Sequence, residues 1–274
     1  MLGYRHAFHA GNLADVLKHS ALTALLEAAL SKPTPLCYVD THAGAGDYAL
    51  DRSDAQAEWR AGIGTLLRTT MAPPSAVARY LDCVRVHERE RRRYPSAAAI
   101  AVRMLRDHDR LLLAERHPAD YPALAAALGS DARVQIHHGD GYALLRSALP
   151  PRERRGLILI DPAYEAADEP RQLIDGLRAA LQRFRHGTYL IWYPLAGKHD
   201  PTRLTHDLQR LRPPKTLRIR VTAGPAAARG AVSSGICIVN PPFQAVAALQ
   251  AMANWFARQL LRDGSVQCDW LVAE

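Results

Sequence analysis

Cysteine is too scarce and too scattered to organise this chain. Cys37, Cys83, Cys237 and Cys268 form no Cys-x-x-Cys pair. That spacing excludes a disulfide framework and a zinc ribbon and fits reduced thiols in the cytoplasm. No apolar run approaches the roughly 18 residues of a membrane span. Behind Met-Leu-Gly-Tyr-Arg-His there is no apolar h-region, so neither a span nor a signal peptide is expected. Internal repeats and low-complexity tracts are absent. The 12 histidines are dispersed. His137 and His138 end a strand, and His6 and His9 fall in an irregular opening segment. No third ligand stands at a metal-binding spacing, and no metal is expected.

What is present is a chain of 274 residues, 48% hydrophobic, long enough for a large α/β core. Lys and Arg total 35 against 27 Asp and Glu, a net charge of +8. Such a surplus favours a polyanionic partner, above all nucleic acid, although a basic surface alone specifies no function. Leu13, Val16, Leu17, Leu22, Leu25, Leu26 and Ala29 keep a helical period and predict a helix over 13–30. By position alone, Lys18 and His19 read as its solvated face. Strands are predicted at 36–40, 111–115, 133–137, 157–160, 188–193, 217–222 and 235–240, with 266–272 as a candidate edge strand. Helices are predicted at 97–106, 122–128, 142–149, 170–184, 202–211 and 245–261. Residues 51–95 break this rhythm. Helices at 59–67 and 76–86 lead into Arg89-Glu90-Arg91-Arg92-Arg93-Tyr94-Pro95. We read 51–95 as an inserted helical subdomain and 1–50 with 96–274 as the main domain. The fold class is α/β: a doubly wound, seven-stranded, mostly parallel sheet with an antiparallel edge.

The stretch Gly156-Leu-Ile-Leu-Ile-Asp-Pro-Ala-Tyr164 organises the rest. Its aliphatic run reads as a strand buried on both faces. Asp161, Pro162 and Tyr164 then fall at the carboxyl end of that strand, where open α/β sheets present ligands. This composition suits methyl transfer to an exocyclic amine of a base. Upstream, Asp40-Thr41-His42-Ala43-Gly44-Ala45-Gly46 follows a buried strand. Gly44 to Ala49 satisfies the dinucleotide fingerprint G-x-G-x-x-G/A. The fingerprint also needs a strand-ending acid roughly 20 residues on, whereas here the next such acid is Glu115. S-adenosylmethionine needs only backbone room at a glycine turn, an acid for its ribose and an acceptor for adenine. The turn, Glu115, and Asp140 with Gly141 supply these from three successive strand ends.

Several blocks together are distinctive: Tyr4-Arg5-His6-Ala7-Phe8-His9-Ala10-Gly11-Asn12, Asp15-Val16-Leu17-Lys18-His19, Asp40 to Gly46, Arg155 to Pro162, Ile191-Trp192-Tyr193-Pro194 and Val239-Asn240-Pro241-Pro242. From end to end the chain resembles the bacterial ribosomal RNA large subunit methyltransferase J family, which modifies N6 of adenine 2030 in 23S ribosomal RNA. The resemblance implies a Rossmann-like class I methyltransferase with an inserted helical subdomain, S-adenosylmethionine as cofactor and 23S ribosomal RNA as partner; a monomer is expected, with no sequence feature that sets the oligomeric state. It implies cofactor contacts at His19, His42, Glu115, Asp140, Gly141 and Asp161, with Gly44 and Gly46 at the turn. One further contact falls at Ala97, where the family pattern Tyr-Pro-Gly-Ser-Pro has serine; a backbone contact, or Ser96, would serve instead. Ala163 replaces a second proline, which predicts a looser catalytic loop because proline fixes φ.

On this reading Asp161 and the Pro162 carbonyl accept the two amino hydrogens of adenine, and Tyr164 stacks on the flipped base. Tyr4, His6 and Lys18 contact substrate. Arg89–Arg93, Arg152–Arg155, and Arg210, Arg212, Lys215, Arg218 and Arg220 track phosphate. Asn240-Pro241-Pro242-Phe243 fits the amino-methylating pattern more closely by letter but follows the seventh strand, not the fourth. Competing functions are a DNA adenine-N6 methyltransferase, a nicotinamide-dependent oxidoreductase and a non-catalytic RNA-binding protein. No feature of the sequence reads a 2′-hydroxyl.

Overall fold

Asn12 starts the first helix by accepting a hydrogen bond from the Asp15 amide at 3.0 Å. A computed structural model of the chain describes residues 6–50, 57–196, 200–224, 233–261 and 263–273. After α1 (Leu13–Leu30) come β1 (Cys37–Asp40), β2 (Asp47–Tyr48), α2 (Ile63–Arg68), α3 (Ser75–Arg91), β3 (Tyr94–Pro95) and α4 (Ala97–Met104). Then follow β4 (Arg110–Glu115), α5 (Asp120–Leu128), β5 (Val134–His138), α6 (Gly141–Ala148), β6 (Gly156–Ile160), α7 (Glu169–Arg183) and β7 (Thr188–Pro194). The chain closes with α8 (Pro201–Arg210), β8 (Thr216–Thr222), β9 (Ser234–Val239), α9 (Phe243–Gln259) and β10 (Ser265–Val272).

The main sheet runs β10-β8-β9-β7-β6-β1-β4-β5. Its five strands from β7 to β5 are parallel, and β9, β8 and β10 add by antiparallel pairing. The expected seven strands are therefore eight. β10 pairs along the whole of β8, and Val266 and Cys268 pack on the core. Alternating Gln267 and Asp269 had concealed it. Along the central strands side chains alternate between two cores. Tyr38, Leu111, Leu113, Leu157 and Leu159 pack with α1, α3, α4 and α9, whereas Val39, Leu112, Ile158 and Ile160 pack with α6, α7 and α8. Burial on both faces explains why these strands read as unbroken aliphatic runs.

The glycine turn does not enter a helix. It enters β2, which pairs with β3 through Asp47–Pro95 and Tyr48–Tyr94. This ribbon brings together the two ends of the segment that carries α2 and α3, and α3 packs along α1 and α9. A dinucleotide fingerprint requires a helix packed at the turn, so the letter match at Gly44–Ala49 has no structural counterpart. Tertiary packing also corrects the reading of α1: Asp15, Lys18, His19, Ser20 and Thr23 are buried, not solvated, with α3 against His19 and Thr23 and the opening segment and Asp161 against Asp15 and Lys18. His6–Phe8 in the opening segment forms a 3-10 turn. No helix among the described residues is long and apolar enough to cross a membrane.

Candidate active site

From β1 the chain crosses to β4 and β5 on one side, then returns to β6 and β7 on the other. That reversal opens a crevice at the carboxyl end of β1, the usual ligand position in such sheets. A cavity of about 450 Å³ occupies it. Asp40, His42 and Gly44 line it after β1, Glu115 after β4, and Asp161, Pro162 and Ala163 after β6. His6, Lys18 and His19 close one wall, and Ser96 and Ala97 another.

Asp161 does not stand alone. The Lys18 ammonium donates to its Oδ2 at 2.5 Å and to Asp15 Oδ1 at 2.8 Å. Asp15 is 1% exposed and also accepts from the Gly11 amide at 2.9 Å, while His6 Nε2 lies 3.1 Å from its Oδ2. Burial alone would raise the Asp15 carboxyl, but the Lys18 ammonium and His6 hold it well below the usual carboxylate range. Burial alone would lower Lys18, but Asp15 and Asp161 hold it well above the usual lysine value. The outcome is a fixed carboxylate–ammonium–carboxylate array that reaches from the opening segment to the end of β6. Asp15 was not singled out from the sequence, although it lies one turn before Lys18. A helix-period reading has no means of knowing that the opening segment and the end of β6 cover that face.

At the glycine turn the backbone is committed to a shape only glycine fits. Gly44 has φ +65, and a Cβ there would lie 2.0 Å from Tyr48 Oη. Glu115 holds the turn by accepting from the Gly44 amide at 2.8 Å and the His117 amide at 2.6 Å. Burial raises its carboxyl above the usual value. Asp40, another cavity residue not singled out beforehand, accepts from the Tyr38 hydroxyl at 2.9 Å, and burial pushes it up to about 7. Two of the cavity imidazoles, His19 and His42, are held neutral by burial. Burial lowers His19 to about 3 and His42 to about 4. His19 Nδ1 shares a 2.9 Å hydrogen bond with Tyr94 Oη, which shares another with Tyr80 Oη. Ser96 Oγ caps α4 by accepting from the Ala99 amide at 3.2 Å, so the first turn of that helix meets the cavity at Ala97.

Other expected residues stand elsewhere. Gly46 is outside the cavity lining; its carbonyl accepts from the Ser96 amide at 3.0 Å. Asp140 caps α6 through the Tyr142 and Ala143 amides. Gly141 lies against β1, where a Cβ would come 2.0 Å from the Thr41 carbonyl oxygen. Neither lines the cavity, although the Tyr142 ring next to them meets His42 edge-on at 5.5 Å. Tyr164 departs most from expectation. It has φ +55, its ring is buried against Trp192, and its hydroxyl donates to the Trp192 carbonyl at 2.9 Å. The ring is thus a core anchor for the loop and not a wall on which a base stacks. Tyr4 lies outside the described residues.

Asn240 is remote for a stronger reason than its place in the order. β9 runs antiparallel to β7, so it delivers Asn240 to the amino-terminal edge of the parallel strands. There its amide donates to the carbonyls of Arg185 and Gly187. Arg152–Arg155 lie at the same far edge, just before β6. Glu153 pairs with Arg110 at 2.9 Å, and Arg155 donates to the carbonyls of Ala29 and Thr34. Arg210, Arg212 and Lys215 lead into the amino end of β8, and Arg218 pairs with Asp269 at 2.6 Å. Of the basic clusters expected to track phosphate, Arg89–Arg93 lies nearest the cavity wall, since it runs directly into Tyr94, Pro95 and Ser96.

The strand order and the cavity at the crossover define a Rossmann-like class I methyltransferase. Residues 33–272 match the family model described as ribosomal RNA large subunit methyltransferase D, RlmJ, and the chain belongs to this family. It is 37% identical over 281 residues to the ribosomal RNA large subunit methyltransferase J of Escherichia coli K12, all of each chain being covered. It is 36% identical over 282 residues to the Haemophilus influenzae protein of the same name, again over all of both chains. A solved Legionella pneumophila protein, LPL1258, superposes with a TM-score of 0.84 at 31% identity, covering 96% of this chain and 98% of that one.

Proposed function

We propose that this chain transfers a methyl group from S-adenosylmethionine to the exocyclic N6 of one adenine in 23S ribosomal RNA, adenine 2030. The family and its curated relatives support the ribosomal RNA substrate. The observation that carries the chemistry is Asp161: it opens into the cavity that also holds the glycine turn, and Lys18 fixes its orientation.

The residues fit this cofactor. A cavity of about 450 Å³ is in the range of small-molecule sites. Gly44 leaves the backbone bare where a side chain would intrude, and Glu115 offers buried carboxylate lone pairs to ribose hydroxyls. The Ser96-capped first turn of α4 suits a carboxylate group. Neutral His19 and His42 add no positive charge next to a sulfonium. When bound, the cofactor supplies an electrophilic methyl.

The amino nitrogen of adenine is a poor nucleophile because its lone pair is delocalised into the ring. Asp161 Oδ2 is taken by Lys18, so Oδ1 accepts one amino hydrogen and the Pro162 carbonyl accepts the other. Both bonds strengthen as positive charge grows on the nitrogen, and once methyl transfer leaves the sulfonium as a neutral thioether the surplus amino proton departs through one of these hydrogen bonds to solvent. Lys18 and Asp15 hold the Asp161 rotamer, and Tyr164 anchors the loop from beneath. Pro162 limits the loop's freedom on one side.

The two candidate loops are separated by comparing Asp161→Ala with Asn240→Ala in methyl transfer to 23S ribosomal RNA. Asp161→Ala should lose at least roughly 100-fold in kcat, while Asn240→Ala should keep its activity per folded molecule. Retention of activity by Asp161→Ala would remove the assignment.

A further inference from the structure

Beside the cavity, on the inserted helices, lies a second groove of about 410 Å³. Trp59, Leu67 and Tyr94 line it, with four rim arginines to be placed on phosphate, Arg60, Arg68, Arg92 and Arg93, against one acid, Glu88. The Arg60 guanidinium sits 4.7 Å over the Trp59 ring centroid, a stacked pair. Leu67 is 37% exposed, unusual for a leucine on a helix with a core to cover. Between Ala57 and Pro95 the chain has eight arginines and four acids, +4 of the total +8. Across the whole insert, 51–95, the count is nine arginines against six acids, a net +3.

The groove and the cavity share a wall. Tyr94 lines the groove, and its hydroxyl bonds His19, which lines the cavity. The Ile63 amide of the insert donates to the Gly11 carbonyl at 2.8 Å, which ties the insert to the opening segment. The stretch after β6 brings an acidic wall to the cavity, Glu165 and Glu169. A polyanion leaving the cavity is repelled by that acidic wall and attracted toward the insert.

We propose that this groove holds the RNA strand that flanks the target base, with the rim arginines on phosphate and a base against the Trp59–Arg60 stack. Aromatic and guanidinium planes accept any base by stacking, and flanking phosphates supply sequence-independent affinity. The groove thereby sets RNA affinity and leaves the chemical step to Asp161. The inference rests on an RNA substrate but not on which adenine is modified.

The test uses the full chain with protein-free 23S ribosomal RNA. RNA affinity is measured directly across a salt series, and methyl transfer is measured separately. Arg68→Glu with Arg92→Glu should weaken RNA binding by roughly tenfold or more and flatten the salt slope by about 1.5, the share of two phosphate contacts. It should leave kcat at saturating RNA within about twofold, and cofactor affinity unchanged. Arg178→Glu with Arg203→Glu, an equal charge change on α7 and α8 across the sheet from the insert, is the control and should do neither. An Ala pair at 68 and 92 gives the same signs if the Glu pair unfolds. Unchanged RNA affinity and slope would overturn the proposal, as would an equal loss in the control on α7 and α8. So would a defect confined to ribosomal particles, which would indicate a protein contact, or a change only in self-association. Salt-dependent RNA binding without methyl transfer by the wild type would remove the proposed reaction while leaving the groove assignment standing.

Discussion

Asp15 shows how much one buried carboxylate can organise. It joins His6, the Gly11 amide and Lys18, and through Lys18 it reaches Asp161. Asp15→Asn keeps the shape but removes the charge, which leaves Lys18 with one counterion in a buried site. The expected result is a fall in kcat of roughly 10- to 100-fold, from misplacement of Asp161, with cofactor affinity nearly unchanged. Activity is compared per folded molecule, well below the melting temperature. Normal kcat in a folded Asp15→Asn protein would show that the array is structural only. Gly44 makes a complementary case. Gly44→Ala combines φ +65 with a Cβ 2.0 Å from Tyr48 Oη. It should abolish measurable cofactor binding by calorimetry while the melting curve still shows a folded protein. Wild-type affinity in that variant would mean the cofactor does not approach this turn.

At the scale of elements, α1 and the β1 turn each bury a neutral imidazole, and this sets an acid limit on stability. His19 is lowered to about 3 and His42 to about 4 by burial, against 6.5 in the unfolded chain. As pH falls below about 6.5 the unfolded chain takes up these protons first, so stability present above that pH is lost toward pH 4. Asp15 and Lys18 face His19; Asp161, Asp140 and Arg116 face His42. Asp40 works in the opposite direction. Raised to about 7, it favours the folded state at low pH and loses that contribution as pH rises toward 7. Glu115, whose carboxyl burial also raises, opposes the imidazoles as Asp40 does but less strongly, so the net stability still falls as pH drops below 6.5. Calorimetry should find the melting temperature falling steadily from pH 6.5 to 4.5; a flat or rising trend would contradict the buried neutral imidazoles. Elements also differed in how plainly they could be read. Leu111–Ala114 and Leu157–Ile160 were evident because burial on both faces leaves no polar interruption. β10 was ambiguous because an edge strand alternates. The acid-bearing strand ends were legible from position, whereas the buried polar array of α1 was not, because only the opening segment and the loop after β6 take Asp15 and Lys18 out of water.

Over the whole molecule, chain direction separates the two candidate loops. Parallel strands send Asp40, Glu115 and Asp161 to one edge, and the antiparallel return of β9 sends Asn240 to the other. Charge is distributed with similar asymmetry: the insert 51–95 carries +3 of the net +8 next to the cavity, while Arg155 before β6 is engaged in holding the Ala29 and Thr34 carbonyls. The central claim is that this architecture methylates one adenine amino group of ribosomal RNA. It is tested most directly by transfer of labelled methyl from S-adenosylmethionine to protein-free 23S ribosomal RNA, followed by nucleoside analysis and mapping, with duplex DNA as the competing substrate. The account predicts N6-methyladenosine at a single position in the RNA, lost in Asp161→Ala. Label in DNA adenine instead, label at another atom of the base, or no label in RNA that the protein demonstrably binds would contradict it.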